Sequence, residues 1–329
     1  MNSLMRTFFS DGHIARLFII MFIIFIIMAG IDPSVFLSFD SFSSMAFQFP
    51  EFGLFALAMM VTMISGGIDL SIVGIANLSS IVSAIIMVKT ISDSSSLGYS
   101  LLMIFVAILA SLLVGAVCGL FNGAAIALVG IPPILVTLGT MQLFMGLAIV
   151  ITKGNAIVGL PKIFSDIGNG YIGVVPVPLI IFVISLFIIY FLLHKRSFGI
   201  KLFMLGANPT AAKYSGLKNT VILLKTYVIS GIFSAIAGLV IIAHTNSAKA
   251  DYGTSYVLQA LLVSVMGGVD YKGGSGKISG VVMAVLTLQF LSSGLNLLHV
   301  GNFFKDFMWG VVLLMFMVIN ELSRRRDVN

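Results

Sequence analysis

The sequence contains few charged residues and almost no cysteine. Only 9% of its 329 residues are Asp, Glu, Lys or Arg, whereas 59% are hydrophobic. A soluble domain carries about 25% charged residues, so this composition excludes a soluble globular protein of this length. The only cysteine, Cys118, excludes a disulfide framework within the chain and a cysteine-based metal site. The surface of the folded chain must therefore face lipid.

Motifs for nucleotide binding and for catalysis are also missing. The stretch GGSGKIS at 273–279 lacks the first glycine of a phosphate-binding loop, and Ile278 stands where Ser or Thr would hold magnesium. The stretch GNGYIG at 168–173 has glycines at dinucleotide-binding spacing but no preceding strand. The histidines are scattered, without a second ligand at metal spacing. We therefore expect no enzyme activity, no cofactor and no metal, and any ATP must be hydrolysed by another protein.

What the sequence does have is a series of apolar runs long enough to cross a bilayer, which takes about 20 residues per helix. It predicts an all-α, polytopic transmembrane helix bundle that forms a single domain over residues 1–329. We predict about ten spans, at 17–31, 51–65, 70–88, 100–118, 121–151, 174–194, 221–243, 255–267, 277–294 and 304–320. The fifth contains Pro132 and Pro133, which break or kink a helix. The eighth is short, so the sequence leaves open whether it crosses the membrane or enters and returns.

Basic residues predict which side of the membrane each loop faces. They concentrate in the N-terminal arm, in the segment 194–225 and in the C-terminal tail, as Arg6, Arg16, Lys195, Arg196, Lys201, Lys213, Lys218, Lys225, Arg324, Arg325 and Arg326. The positive-inside rule places all three segments in the cytoplasm, together with both termini. Even numbers of predicted spans separate them, as a common side requires. Because these residues flank spans, we attribute the net charge of +6 to topology and expect no nucleic-acid partner. The loops on the opposite side contain more acidic than basic residues, and Glu51 is counted among these acidic residues.

Two similar motifs, each with two glycines followed by an aspartate, interrupt apolar runs. An aspartate at such a break can cap the next helix, and the glycines permit a tight connection. A buried carboxylate in a membrane also marks a polar solute path. Both interpretations remain open, and Asp69 and Asp270 are the only ionisable groups that we expect near the path. The residues assigned to a helix break or to the translocation path are Gly66, Gly67, Asp69, Ser71, Pro132, Pro133, Gly267, Gly268 and Asp270.

The two motifs also suggest an internal duplication. Aligning Gly66 with Gly267 pairs Asp69 with Asp270, and a second, weaker similarity pairs residues 129–130 with residues 300–301. Transporters are often built from such repeats. The two alignments have different offsets, so the symmetry is left open. Elsewhere, Gly115, Gly119 and Gly123 recur at a spacing of four, which predicts close packing between helices.

The basic segment contains a patterned stretch, LFMLGANPTAAKYSGLKNT, at 202–220. Asn208 is placed to cap a short helix with Pro209 at its first position, and Gly216 is placed to end it. The helix has small side chains, which fit the groove of a partner protein. An ordinary connector is the alternative, although the stretch is longer and more patterned than a connector needs to be.

Four stretches together resemble a known family. They are SGGIDLS at 65–71, NGAAIALVGIPPILVTLGTMQLFMGLAIV at 122–150, GANPTAAKYSGL at 206–217 and VMGGVDYKGGSGKISG at 265–280. They are similar, in family order, to the inner-membrane permease subunits of bacterial ABC importers of the ribose and autoinducer-2 class. The resemblance covers residues 45 to 320. One departure is an extra residue between Asp69 and Gly74, where the family has GGIDLSVG.

This resemblance implies partners. Two such subunits, identical or paired with a sister permease, would form a pathway for a sugar or sugar-like small polar solute. A periplasmic solute-binding protein would deliver the solute, and cytoplasmic ATP-binding subunits would dock on the basic segment at about 195–220. The residues that the resemblance assigns to this coupling are Gly206, Ala207, Asn208, Pro209, Ala211, Ala212, Ser215 and Gly216.

The expected function is therefore that of a multi-pass permease of the bacterial inner membrane, working by alternating access. An ion-coupled secondary transporter is the main alternative, because it would need no ATPase. A membrane scaffold that transports nothing is a third. Co-purification with an ATPase separates the scaffold from the permease, and uptake driven by a gradient alone favours the secondary transporter. The sequence does not distinguish ribose, other monosaccharides, autoinducer-2 and nucleosides as solutes.

Overall fold

A computed structural model describes residues 12–92 and 94–328, and their side chains except those of His13 and residues 319–328. Arg6 and Asp93 therefore lie outside the described residues, as do the side chains of Arg324, Arg325 and Arg326. The first seven helices are α1 Gly12–Ile31, α2 Pro33–Phe36, α3 Phe39–Ile64, α4 Ile72–Thr90, α5 Leu97–Ala124, α6 Pro133–Thr152 and α7 Lys162–Asn169. The others are α8 Val177–Tyr190, α9 Ser197–Ala207, α10 Pro209–Tyr214, α11 Asn219–Thr245, α12 Tyr256–Met266, α13 Ile278–Leu297 and α14 Asn302–Val328.

The predicted all-α bundle is confirmed. Within the described residues, eight helical segments are long and apolar enough to cross a membrane: Ile14–Ile31, Phe39–Ile64, Ile72–Thr90, Leu97–Val129, Pro133–Thr152, Val177–Lys195, Asn219–Thr245 and Ile278–Leu297. The predicted spans 255–267 and 304–320 coincide with α12 and α14. Short strands form two antiparallel pairs, Ile157–Val158 (β1) with Ser247–Ala248 (β4), and Tyr171–Ile172 (β2) with Val175–Pro176 (β3).

The predicted boundary between the fourth and fifth spans is wrong. Helix α5 continues past Gly119 and ends in a π-helical turn, Ala125–Val129. The break comes at Gly130, which has φ +82°, and at Pro132, after which Pro133 occupies the first turn of α6. Because proline needs no amide hydrogen bond at that position, the two prolines begin a new helix and do not kink a long one. A similar π-helical turn, Phe191–Lys195, extends α8.

Helix α3 forms the centre of the bundle. Every side chain from Leu54 to Ile64 is buried, against α8, α11, α12 and α13. A helix that is apolar on all sides belongs in a core. By contrast, α5 exposes large apolar side chains such as Leu102, Phe105 and Leu113. Such a surface matches lipid.

Glycine packing joins α5 to α11, as the spacing of four predicted. A side chain at Gly115 or Gly119 would overlap the backbone carbonyls of Gly231 and Tyr227 in α11. A side chain at Gly231 would in turn overlap the carbonyl of Gly115. Small residues on both helices therefore bring the two backbones into contact, which is how membrane helices associate closely.

The contacts show that the long helices alternate in direction. Gly67 at the end of α3 lies against Pro133 at the start of α6, and Gly267 at the end of α12 lies against Gly280 near the start of α13. We call this end of the bundle the junction end; the segments 32–38, 91–92, 94–96 and 153–176 belong to the opposite end. Helix α12 has only 11 residues, about 16 Å at 1.5 Å per residue. The preceding segment supplies the missing depth, because Asn77 Nδ2 donates to the carbonyl oxygens of Ala250 at 2.8 Å and Tyr252 at 2.9 Å. The chain from Ser247 to Gly267 thus runs from the opposite end of the bundle to the junction end.

Candidate functional site

The first of the two glycine–aspartate motifs ends α3. Gly66 adopts φ +84°, which favours glycine, and lets the chain reverse. Its amide donates to the carbonyl of Met63 at 2.9 Å, and the amide of Gly67 donates to the carbonyl of Thr62 at 3.1 Å. These two bonds form a Schellman cap. The chain then runs without helical structure to Ser71, where α4 follows.

Asp69 lies in this connection, outside the spanning helices, and is fully buried. Its Oδ1 accepts from the amide of Ser71 at 3.0 Å and from its hydroxyl at 2.6 Å, and Oδ2 accepts from Ser230 Oγ of α11 at 2.8 Å. Asn122 Nδ2 of α5 donates to Ser71 Oγ at 2.8 Å. Burial raises the pKa of the Asp69 carboxyl, while the bonds from Ser71 and Ser230 act in the opposite direction. Asp69 therefore holds the turn before α4 and does not cap the helix, because no amide of the first turn of α4 donates to a capping side chain. Through Ser230 and Asn122, the network reaches α11 and α5.

Two polar atoms beside this network are buried without a partner among the described residues. They are the phenolic oxygen of Tyr227 and Oδ1 of Asn122. Gly67 makes room for the phenol, because a Cβ at that position would lie 2.5 Å from Tyr227 Oη. Buried polar groups in native structures nearly always have partners. These two atoms therefore leave hydrogen-bonding capacity beside Asp69 for a polar molecule or for water.

The second motif ends α12 with the same cap, shifted by one residue from the sequence alignment. Gly268, not Gly267, adopts the positive φ of +79°. The amide of Gly268 donates to Val265 at 3.1 Å and that of Val269 to Ser264 at 3.0 Å. Gly267 instead permits contact with α13, because a side chain there would lie 2.6 Å from the amide nitrogen of Val281. The alignment of Gly66 with Gly267 is therefore wrong by one position in the structure.

This shift gives Asp270 different surroundings. Its Oδ1 accepts from the amide of Lys272 at 2.9 Å, and its carbonyl accepts from the amide of Gly273 at 3.0 Å. The side chain is half-buried in a turn, and its hydrogen bond with Lys272 stays within the same loop. Asp270 therefore shapes the loop between α12 and α13, and the structure does not place it with Asp69.

Three segments meet in a backbone contact that we call the glycine junction, formed by Gly66, Gly206, Gly273 and Gly274. The amide of Gly274 donates to the carbonyl of Ile64 at 2.9 Å. A Cβ on Gly273 would lie 2.7 Å from the nitrogen of Gly66 and 2.9 Å from the oxygen of Gly206. A side chain at Gly206 would overlap the carbonyl of Ile64. The junction thus links the ends of α3 and α9 to the loop after α12, with no room for a side chain.

The predicted short helix after the junction is present as α10. Asn208 Oδ1 accepts from the amide of Ala211 at 2.9 Å, Pro209 begins the helix, and Gly216 with φ +80° ends it. Asn219 Nδ2 also donates to the carbonyl of Pro209 at 2.8 Å. Ala212 packs inward, whereas the other predicted coupling residues after the junction are exposed, namely Ala207, Asn208, Pro209, Ala211, Ser215 and Gly216.

Sequence reasoning missed Tyr214, whose side chain is 87% exposed at the end of α10. A large aromatic group that protrudes from a short helix offers contact area to a partner protein. The only signal in the sequence is one aromatic residue within a run of small and basic residues.

A second ionisable cluster was also missed. Glu51 is not in a loop, as its place among the acidic residues implied; it lies within α3 and is buried. Its Oε1 lies 2.6 Å from His244 Nδ1 of α11, and Tyr256 Oη donates to its Oε2 at 2.7 Å. Asp69 and Asp270 are therefore not the only acidic residues within the bundle, since Glu51 is buried inside a spanning helix. The residue pairs are about 200 positions apart, so no local pattern signals them.

Comparison with known proteins identifies the family. Residues 41–319 match the family model described as branched-chain amino acid transport system, permease component. The chain belongs to this permease family. The permease is 33% identical over 282 residues to the autoinducer 2 import system permease protein LsrD of Yersinia enterocolitica serotype O:8 / biotype 1B, covering 84% of the chain and 82% of the relative.

Two further relatives carry the same description. LsrD of Klebsiella pneumoniae subsp. pneumoniae is 34% identical over 281 residues, covering 84% of the permease and 81% of the relative. LsrD of Yersinia pseudotuberculosis serotype O:3 is 31% identical over 309 residues, covering 92% and 90%. No solved structure matches the permease. These findings confirm the resemblance to permease subunits of ABC importers that the four motifs predicted.

Proposed function

We propose that the permease translocates a sugar or sugar-like small polar solute across the bacterial inner membrane by alternating access. Separate cytoplasmic ATP-binding subunits supply the energy, a second permease subunit, identical or a sister chain, completes the pathway, and a periplasmic binding protein delivers the solute. The membership of the family and the coverage of its relatives support this proposal.

The observation that carries the coupling mechanism is the glycine junction. Helix α10 begins three residues after Gly206. Gly206 contacts Ile64, at the end of α3 before Asp69, and Gly274, in the loop after α12 that contains Asp270. Contacts between backbones cannot adjust by a change of rotamer. A push on α10 therefore moves the end of α3 and the loop after α12 together. This arrangement supports docking of an ATPase on α10 as the source of the conformational change.

The distribution of charge supports a cytoplasmic junction end. Eight basic residues lie in the loops and helix ends there: Lys195, Arg196, Lys201, Lys213, Lys218, Lys225, Lys272 and Lys277. The loops of the opposite end carry both signs, including Asp32, Asp40 and Asp166. By the positive-inside rule, this distribution supports α10 and both termini lying on the side where ATP is available.

The network around Asp69 supports a polar constriction of the solute path. It joins α4, α5 and α11 at a helix break, and it leaves Tyr227 Oη and Asn122 Oδ1 without partners among the described residues. A solute with several hydroxyl groups can use such donors and acceptors. Weak contacts suffice here, because a binding protein supplies the affinity and the path must release its cargo.

The relatives guide the choice of solute. The names of the LsrD proteins specify autoinducer 2, whereas the family description specifies branched-chain amino acids. We propose a sugar-like solute, autoinducer 2 or ribose, because the relatives match nearly the full length. Uptake of labelled autoinducer 2, ribose and leucine by cells with and without the permease tests this choice.

The coupling proposal is tested by one charge on α10. We expect Ala211→Glu to reduce solute uptake at least ten-fold, because a carboxylate on the exposed face of a docking helix is desolvated on contact. Ala156→Glu, in an exposed loop at the opposite end, is the matched control and should leave uptake and coupling unchanged. The measurement is solute uptake together with ATP hydrolysis by co-purified ATPase subunits. Equal uptake by both variants would contradict docking on α10.

An ion-coupled transporter remains the second candidate, and the cluster of Glu51, His244 and Tyr256 favours it. Buried ionisable groups in membrane helices are typical of proton relays. Glu51→Gln keeps the shape of the side chain and removes its charge. The second candidate predicts uptake into vesicles that contain this chain alone, driven by a proton gradient and lost in Glu51→Gln. The first predicts no such uptake and a requirement for ATP.

A further inference from the structure

Two adjoining cavities open at the junction end, beside the predicted coupling segment. Ser197, Phe198 and Lys225 line both of them, so the cavities share a wall at the start of α9. Their volumes are about 450 and 320 Å³. Neither cavity involves Asp69, Glu51 or the glycine junction, although Gly216 of the predicted coupling segment lines the smaller one.

The larger cavity is an apolar slot. It runs along α11 from its shared wall with the smaller cavity, and Arg196 lies at its edge with the guanidinium 4.8 Å from the centre of the Phe191 ring. Its apolar lining residues come from three neighbouring helical segments and are Leu120, Leu192, Leu224, Val228 and Ile229. A slot of this composition on a lipid-facing surface suits a hydrocarbon chain.

The smaller cavity is cationic. Lys201, Lys218 and Lys225 line it, and all three are exposed. No acidic residue lines either cavity, and none of the three lysines forms an ion pair within the described part of the chain. Three uncompensated positive charges at the mouth of an apolar slot favour a ligand that carries a negative charge at the end of an apolar body.

We propose that the two cavities form one binding site for an anionic phospholipid of the surrounding membrane. The phosphate lies among Lys201, Lys218 and Lys225, and an acyl chain lies in the apolar slot. Basic pockets between helices at a membrane surface bind anionic headgroups in this way. Gly216 and Leu217, which follow α10 after Ser215, line the cationic part, so a bound lipid would contact the segment that ends the coupling helix.

Free phosphate and an acidic segment of a partner protein carry negative charge, as an anionic phospholipid does, but they lack its acyl chains. The slot therefore distinguishes them from a lipid. Leu192→Trp fills the slot and leaves all the lysines in place. A lipid loses affinity when the slot is filled, whereas a soluble phosphate does not.

The test measures binding of phosphatidylglycerol and phosphatidylcholine to the purified full-length protein in mixed micelles, by native mass spectrometry. The triple variant Lys201→Gln, Lys218→Gln, Lys225→Gln should bind phosphatidylglycerol roughly 100-fold more weakly, since each lysine near a membrane surface contributes a factor of about five and the three factors multiply. The matched control changes Lys89, Lys153 and Lys162, three exposed lysines at the opposite end, to glutamine and should bind as the wild type does.

Leu192→Trp should weaken binding of phosphatidylglycerol several-fold, with thermal unfolding measured in parallel to show that the variant is folded. Equal binding of the two lipids by the wild type would overturn the proposal. The proposal would also be overturned if inorganic phosphate competed as strongly as phosphatidylglycerol and if Leu192→Trp did not change this competition. That result would indicate a phosphate site. Loss of transport without any change in lipid binding would concern the proposed function alone.

Discussion

The two glycine–aspartate motifs have nearly the same sequence and the same helix cap, yet their aspartates lie in different surroundings. In the first, Asp69 follows the glycine of positive φ, Gly66, by three positions, and the carboxylate is buried among three helices. In the second, Asp270 follows Gly268 by two positions, and the carboxylate stays in its own turn. One residue of register after a Schellman cap therefore decides whether the side chain enters the bundle.

The two motifs therefore contribute different structures to the junction end of the permease. The first motif supplies a polar network within the helices, and the second supplies a loop whose glycines contact Gly66 and Gly206. If the halves arose by duplication, the copies have diverged in their side-chain contacts and kept the backbone turn. The glycine junction joins the two motifs, so the comparison can be tested at either motif and at the contact between them.

The largest difference is expected between Asp69→Ala and Asp270→Ala. Asp69→Ala removes three hydrogen bonds to a buried carboxylate, each worth about 1.5–3 kcal/mol if the group is charged, and strands the Ser230 hydroxyl. Removing the carboxylate also recovers part of the cost of its burial, so we expect a net loss of about 3 kcal/mol in stability. Asp270→Ala removes a bond in an exposed turn and should cost less than about 1 kcal/mol. The measurement is thermal unfolding of the purified variants in detergent.

Uptake is the second measurement on the same pair. Asp69→Ala should abolish it, and Asp270→Ala should retain most of it. Asp69→Asn keeps the size of the side chain and separates the loss of charge from the loss of packing. Similar losses for Asp69→Ala and Asp270→Ala would show that burial does not distinguish the two motifs.

A smaller effect is expected at the contact between the motifs. Gly206→Ala places a methyl group against the carbonyl of Ile64, and overpacking of this kind costs about 1–3 kcal/mol. We expect ATP hydrolysis by the assembled transporter to continue while uptake falls, because the junction transmits the motion of α10. The control is Met204→Ala, at an exposed position of the same helix. Unchanged uptake in Gly206→Ala would rule out transmission through the junction.

The smallest effect on stability is expected for Tyr227→Phe. The phenol is buried and its oxygen has no partner among the described residues, so its removal should leave stability unchanged or raise it by up to about 1 kcal/mol. Uptake should fall if this hydroxyl contacts the solute. Ser230→Ala, which removes a donor to Asp69, is the comparison and should destabilise. A clear loss of stability in Tyr227→Phe would show that the hydroxyl has a structural partner.

Local features of the fold could be predicted from the sequence because they depend on neighbouring residues. The cap at Asn208, the first-turn Pro209 and the terminating Gly216 specify α10 within ten positions, and the spacing of Gly115 and Gly119 specifies the contact with α11. The end of α5 was predicted too early. Gly119 and Gly123 pack against α11 and do not end the helix, which continues through a π-helical turn.

Features that depend on distant residues could not be predicted. The bond between Glu51 and His244 joins positions 193 residues apart, and neither side chain carries a local signal of the other. The glycine junction was missed for the same reason, although its glycines at 66, 206, 273 and 274 were all within motifs that the sequence had identified. Their convergence is a property of the helix packing.

The central claim is that α10 lies in the cytoplasm and receives the ATPase. Cys118 is buried and is the only cysteine, so Tyr214→Cys in a Cys118→Ala background provides a single exposed thiol. A membrane-impermeant maleimide should label it in inside-out vesicles and not in right-side-out vesicles, and co-expressed ATPase subunits should protect it. Labelling from the periplasmic side would contradict the orientation, and labelling that is unaffected by the ATPase would contradict the docking.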